Sequence, residues 1–302
     1  MKDFPLVSVI VPFYGVEDYI ARCAESLLRQ TYPAIQFIFV NDGSVDRSAE
    51  VLSSVLERFP ERNVLVLAHE NIGLPQTRAS GLVRAEGKYV MHVDSDDWVE
   101  PDAVERLVAC AEENDADLVH FDFWKEYGTR SRLDREKPYT EADKETWMRR
   151  LFRDRAYGYL WNKFARRELY EGIFIPRYNM HEDIVVATQL IRRCRHAVHL
   201  PVALLHYRRD NAGAATREGK KKRRGQSARN FLDFYEWGRN DPAVAVVRND
   251  ILLRAAWVAF SLDRDLFRER PYLKEEARHL PLMMGHRVLL GQQLLLKTYL
   301  NL

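Results

Sequence analysis

Three carboxylates within four residues, Asp94, Asp96 and Asp97, follow directly on the apolar run Tyr89-Val90-Met91-His92-Val93. Carboxylates this close repel one another unless a cation or hydrogen-bond donors neutralise them, and hard oxygen ligands suit magnesium or manganese holding a diphosphate. On an extended chain the Asp-x-Asp spacing puts Asp94 and Asp96 on one side. The same residues also suit a plain polar turn before a helix opened by Pro101, with Glu100 as its cap and Asp102 favouring its dipole. What tells the two readings apart is the company the acids keep. Val7-Ser8-Val9-Ile10-Val11 runs into Pro12-Phe13-Tyr14-Gly15, and Ile35 to Val40 runs into Asn41-Asp42-Gly43-Ser44. In a parallel sheet all three strand ends share one edge, where open α/β sheets bind ligands. One pocket could then be lined by an aromatic rim, a carboxylate and a metal-binding acid cluster.

The intervening stretches supply the elements that such an edge requires. Glu17 to Gln30 places Ile20, Cys23, Ala24, Leu27 and Leu28 on one helical face. Further helices are predicted over Asp46 to Phe59, Leu74 to Arg84 and Pro101 to Glu113, with strands at Val64 to Leu67 and Asp117 to Phe123. Strands alternating with such helices imply βαβ units and a doubly wound, mostly parallel sheet. After Phe123 the pattern breaks. Residues 125–145 are crowded with charge and read as a loop or small excursion leading to a helix near Glu141 to Arg153. Trp161-Asn162-Lys163 begins a helix-like piece to Leu169, His181-Glu182-Asp183 opens an amphipathic helix, and Val198 to Leu205 is a last strand broken by Pro201. From about Gly225 onward the chain reads as helices, over Ala228 to Trp237, Val244 to Leu262 and Leu282 to Leu300. The expected division is a domain of residues 1–215, itself a nucleotide half (1–124) and an acceptor half (125–215), followed by a helical extension, 216–302.

The 302 residues, 46% hydrophobic and 30% charged, describe an ordinary globular chain with a sizeable core. A net charge of +2 gives no global field for nucleic acid. Cys23, Cys110 and Cys194 are odd in number and lack a CxxC pair, which points away from a disulfide framework or a zinc site and towards a reducing cytoplasm. No stretch reaches the ~20 apolar residues of a spanning helix.

The set resembles glycosyltransferase family 2, inverting nucleotide-sugar transferases of GT-A fold. The resemblance is carried by Val7 to Tyr14, by Asn41-Asp42-Gly43-Ser44, and by Asn71-Ile72-Gly73 with Arg78 and Gly81-Leu82. Asp94-Ser95-Asp96-Asp97 and Glu182-Asp183 complete it, in the family's order, over roughly residues 5–210. It implies a GT-A sheet of mixed, mostly parallel strands with flanking helices. It also implies that Asp42 hydrogen-bonds uracil and that the backbone at Pro12, Phe13 and Tyr14 touches base and ribose. Asp94 is expected at the ribose or sugar and Asp96 on the divalent metal, magnesium or manganese. Asp183, the second residue of the Glu-Asp pair, is the implied base for the acceptor hydroxyl, where the residues alone would also accept a helix-start cap.

Arg78 could pair with Asp94 or reach the nucleotide. His206 could complete the metal's coordination, and Arg208 and Arg209 could neutralise diphosphate. Asp97, Trp161, Asn162, Lys163 and Glu182 are candidates for sugar, acceptor or diphosphate contacts. The basic run from Arg217 to Arg224 has no interleaved aromatics, which disfavours single-stranded nucleic acid. It suits either a solvated face or an anionic membrane surface near a lipid-linked acceptor, while the leucine-rich helices could meet membrane or a second copy of the chain. The expected function is transfer of a hexosyl or N-acetylhexosaminyl group from a UDP-sugar to a saccharide or lipid-linked saccharide in cell-surface polysaccharide synthesis. Location is expected in the cytoplasm or peripherally on the inner membrane face. Two other classes remain: a non-catalytic sugar-nucleotide or glycan-binding module, and a metal-dependent nucleotidyltransferase, which lacks support from a Gly-rich phosphate loop with a lysine.

Overall fold

A computed structural model describes residues 4–211, 219–281 and 287–300. The expected domain boundary at 215/216, the start of the basic run at Arg217 and the start of the last helix at Leu282 lie outside these residues. The first half alternates as its periodicity predicts: β1 (Val7–Phe13), α1 (Ile20–Leu28), β2 (Ile35–Asn41), α2 (Ser48–Leu56), β3 (Asn63–Ala68), α3 (Leu74–Val83), β4 (Tyr89–His92), a short β5 (Trp98–Val99), α4 (Ala103–Glu113) and β6 (Leu118–Tyr127). Strands β3, β2, β1 and β4 pair in parallel. β1 is buried along its whole length, and its period of two sorts the flanking layers. Ile10, Ile38 and Val90 point into one core, which α3 joins through Leu82. Val9, Val11, Phe37 and Met91 point into the other, with α1, α2 and α4.

Beyond β4 the sheet becomes mixed. The segment from Lys163 that was expected to be helical is a strand, β8 (Lys163–Arg166), followed by a 3₁₀ turn over Arg167–Tyr170. It lies antiparallel between β4 and β6, so both of its edges are paired. Phe164 and Ala165 are fully buried there, and Phe164 stacks on Tyr89 at 4.8 Å. A slot with hydrogen-bonding strands on both sides overrides weak local propensity. The charged stretch after Lys125 is likewise not all loop: β6 turns at Gly128 into β7 (Arg130–Asp134), and α5 follows (Lys144–Phe152). After α6 (Glu182–Arg193), β9 (Ala197–Arg208) runs parallel to β6. Leu200 pairs Phe121 and Ala203 pairs Asp122, so Pro201 sits in a bulge where it need not donate to the ladder.

The C-terminal helices are α7 (Lys220–Trp237), α8 (Pro242–Ser261), α9 (Asp265–Glu269), α10 (Tyr272–His279) and α11 (Arg287–Leu300). Lys220 to Arg224 of the basic run thus open α7. The two short helices α9 and α10 were not expected from sequence. Phe231, Leu232, Ile251, Leu252 and Leu253 are buried in the same core as Leu151 of α5 and Leu190 of α6. The apolar faces of α7 and α8 are therefore core. Among the described residues of this region the large apolar side chains left exposed are Trp237, Leu294 and Leu295. No described helix is long and apolar enough to cross a membrane.

Candidate active site

A cleft of about 850 Å³ opens at the C-terminal ends of β1, β2 and β4. Pro12, Phe13 and Tyr14 form one lip, with Tyr14 half exposed, and Asp42 lies beneath them. Asp42 also fixes the loop before α3, accepting from the backbone N–H of Ile72 (2.7 Å) and Gly73 (3.1 Å). Two glycines allow this closeness. A Cβ at Gly43 (φ 71°) would meet the Asn71 nitrogen at 2.9 Å, and one at Gly73 (φ 88°) would meet Asn179 Oδ1 at 2.9 Å.

Arg78, buried on α3, joins the two halves of the cleft. Its Nη2 reaches Asp94 Oδ1 and its Nη1 reaches Glu182 Oε1, both at 2.5 Å. The pairing with Asp94 that the sequence allowed is present, and Glu182 is a second partner. Burial, with Asp183 beside it, pushes the Glu182 carboxyl up to about 8. Asp183 lines the cleft next to it, its Oδ1 accepting from the N–H of Ile184 at 2.8 Å.

Asp94 and Asp96 both face the cleft. Burial and then the Asp94 charge hold the Asp96 carboxyl above its ordinary range, and its Oδ2 accepts from Asn211 at 2.8 Å. Among the described residues no group of three or more His, Cys, Asp or Glu side chains is arranged to hold a metal. The donor set still fits a magnesium-like ion, which is commonly held by one or two carboxylates with substrate phosphates and water completing the shell. A cation at Asp96 would also relieve the repulsion from Asp94 that adds to burial in raising that group.

Trp161, Arg208 and Arg209 line the cleft, and Arg208 Nε donates to the Asp96 carbonyl at 3.2 Å. Four other expected residues lie elsewhere. Asp97 is only 1% exposed and supports the acid turn from behind, its Oδ1 accepting from the Arg208 N–H at 2.8 Å while its Oδ2 has no partner. Asn162 and Lys163 are fully buried. The Lys163 ammonium, lowered to about 8 by burial, donates to the carbonyls of Tyr157 and Tyr159 at 2.9 Å each, so the pair shapes the loop carrying Trp161 and touches no ligand space. His206 is not placed as a metal ligand. Its Nδ1 lies 2.7 Å from Glu126 Oε1 and its Nε2 2.9 Å from Glu100 Oε1, so both ring nitrogens are engaged.

Several cleft residues escaped the sequence reading. Tyr159 and Tyr207 pack on Trp161 at 4.5 and 5.1 Å, making an aromatic wall. His181 adopts the left-handed conformation just before α6, hydrogen-bonds Ser227 Oγ of α7 at 2.7 Å and stacks on Phe231, thereby fixing where Glu182 and Asp183 point. Asn179, Asn211 and Arg223 also face the cleft. The positive φ at His181 has no sequence signal beyond the enrichment of His in that region, and the others are brought in by tertiary contacts.

The sequence model described as "Glycosyl transferase family 2" matches residues 8–174. The chain is 37% identical over 172 residues to the uncharacterized glycosyltransferase EpsJ of Bacillus subtilis, a match covering 55% of this chain and 49% of EpsJ. The chain therefore spans about half the length of that relative. S. aureus TarS 1–349 in complex with UDP-GlcNAc superposes with a TM-score of 0.64 at 16% identity, covering 98% of this chain and 91% of that one. The mannosyltransferase PcManGT of Pyrobaculum calidifontis, in complex with GDP-Man and Mn²⁺, gives 0.58 at 17% identity, covering 98% and 86%. At these identities the likeness shows the fold: a GT-A α/β sheet with a helical C-terminal region.

Proposed function

We propose, from the premise that the chain belongs to glycosyl transferase family 2, that it transfers a sugar from a UDP-sugar to a hydroxyl of a saccharide or lipid-linked saccharide, inverting the anomeric centre, in polysaccharide synthesis. The observation that carries this is the convergence of Asp42, Asp94, Asp96, Arg78 and Asp183 from distant parts of the chain on one cleft. Asp42 is suited to uracil, since a carboxylate accepts the imide N–H and each oxygen keeps a lone pair beyond those used by Ile72 and Gly73. Pro12, Phe13 and Tyr14 cover base and ribose, and Asp94, held by Arg78, faces the sugar. Magnesium or manganese on Asp96 would supply neutralising charge to the departing diphosphate; the bound Mn²⁺ of PcManGT supports this reading. Arg208 and Arg209 add fixed positive charge on the same wall.

Asp183 is the proposed base. It removes the acceptor proton as the acceptor oxygen attacks the anomeric carbon, and the bond to the UDP oxygen breaks on the opposite face. No protein nucleophile is needed. The neighbouring aromatic wall of Tyr159, Trp161 and Tyr207 gives a sugar ring an apolar surface to lie on. A panel of UDP-sugars scored for UDP release, with manganese and with EDTA, tests the reading. Metal-dependent release from one donor is expected. Release of pyrophosphate from a nucleoside triphosphate, or tight UDP binding without turnover on any acceptor, would replace it with a nucleotidyltransferase or a binding module.

A further inference from the structure

Among the described residues the sheet ends on β3, β5 and β7, and only the last two of these edges are protected. β5 is two residues long, and β7 carries Arg130, Arg132 and Asp134, so shortness or charge keeps another strand from adding to either. β3 has neither device. Asn63-Val64-Leu65-Val66-Leu67-Ala68 contains no charge and no proline, and its register against β2 runs without a bulge. Val66 is 48% exposed. Val64, which packs on the core beneath α1 and α2, and Leu65 and Leu67, which pack on the opposite core, are only partly buried.

The direction of the backbone groups limits how another strand can approach. Just past β3, the His69 N–H donates to the Asn41 carbonyl on β2 at 3.2 Å. The N–H and C=O of one residue point the same way and successive residues alternate, so Asn63, Leu65 and Leu67 also face β2 while Val64, Val66 and Ala68 turn theirs outward. An antiparallel strand of the same sequence must therefore bring outward residues against outward residues. A two-fold axis through Val66 sets Val66 against its own copy, Val64 against Ala68, Leu65 against Leu67 and Arg62 against Glu70. Arg62 is held at the strand's start, its Nη2 donating to the Gln30 carbonyl at 3.0 Å, and Glu70 is exposed beyond the strand's end. The next allowed register in one direction puts Arg62 against Ala68, and in the other it puts Val64 against Glu70. Of the three, the register centred on Val66 matches apolar with apolar and positive with negative.

We propose that β3 is a homodimer interface, at which two copies of this chain pair antiparallel about a two-fold axis through Val66 and join their sheets edge to edge. A two-fold contact requires one surface to complement itself, and β3 with its flanking charges does so. A second copy is favoured over an unrelated extended peptide for that reason. The outward N–H and C=O groups gain partners, the leucines of both copies meet on one face of the joined sheet, and Val66 covers its counterpart on the other. Antiparallel pairing points the carboxyl ends of the two parallel halves in opposite directions, so each cleft stays open.

Sedimentation equilibrium of the full chain over a concentration series tests the interface, and none of the measurements depends on what the cleft binds. A dimer is expected for the parent. Val66→Lys sets like charges face to face and should raise the dissociation constant about 10-fold or more. Glu70→Arg should also weaken the dimer, and Arg62→Glu combined with Glu70→Arg should restore it. The register is read by cross-linking in a Cys110→Ser background. Oxidation should join two copies through Val66→Cys, whose Cα atoms would stand about 5.5 Å apart, and not through Leu65→Cys, which faces the partner's Leu67. The cysteine pair decides the case if Val66→Lys fails to fold. A parent that stays monomeric at every concentration, a dimer that Val66→Lys leaves intact, or equal cross-linking at the two positions overturns the interface.

Discussion

Arg78 and His206 each sit between two carboxylates, and they do different things. Arg78 holds Asp94 and Glu182 from beneath the cleft, with Asp94 still partly open to it. His206 holds Glu100 and Glu126 in a sandwich between Trp98, stacked at 4.9 Å, and Trp124. The sequence offers both as site residues, Arg78 as a partner of Asp94 or the nucleotide and His206 as a metal ligand. The structure decides otherwise: Tyr207, Arg208 and Arg209 line the cleft, whereas both ring nitrogens of His206 are taken up by Glu126 and Glu100. A basic side chain shared by two acids is thus a cleft component only where one of those acids has a side left for a ligand.

Breaking the cleft pair should have the largest effect. Arg78→Met leaves Asp94 and buried Glu182 without their guanidinium, and urea unfolding should show a loss of about 3–5 kcal/mol; a loss under about 1 kcal/mol would mean that the two acids do not depend on it. Asp183→Asn keeps size while removing basicity. Turnover should fall about 100-fold or more, with UDP affinity and Tm nearly unchanged, and retained activity would move the base to Glu182. Asp42→Ala should cost uridine about 1–3 kcal/mol of binding in calorimetry, and it should also loosen the loop at Ile72 and Gly73; unchanged uridine affinity removes Asp42 from the base site.

The pH dependence sharpens the comparison further. Folding raises the Glu182 carboxyl from 4.5 to about 8, so the folded chain binds this proton more tightly than the unfolded one. Its contribution to stability is full below about pH 4.5 and is lost as pH rises through about 8. A Tm series should therefore decline less over that window in Glu182→Gln than in the parent; parallel curves would show that the group does not titrate there. The smallest effect is expected at His206. His206→Gln should leave UDP affinity the same with manganese and with EDTA, and a 10-fold manganese-dependent loss would return the imidazole to the metal.

The sequence by itself determined the parallel half and the placement of its acids. Buried runs of alternating faces, such as Val9-Ile10-Val11, can only be satisfied by neighbours on both sides of a sheet, and that places Asp42, Asp94 and Asp96 on one edge. Each of those acids follows its strand within a few residues, so local order carries the information. The part of the cleft built after β6 was legible only as residue types. Lys163-Phe164-Ala165-Arg166 became a strand because β4 and β6 offered it hydrogen bonds on both edges. Lys163 and Asn162 went to the interior with it, and His181 turned left-handed where α7 packs against the start of α6. Arg223 reached the cleft from a helix whose position is set by the core it shares with α5 and α6. These placements depend on contacts between residues far apart in the chain, and no local period or spacing encodes them.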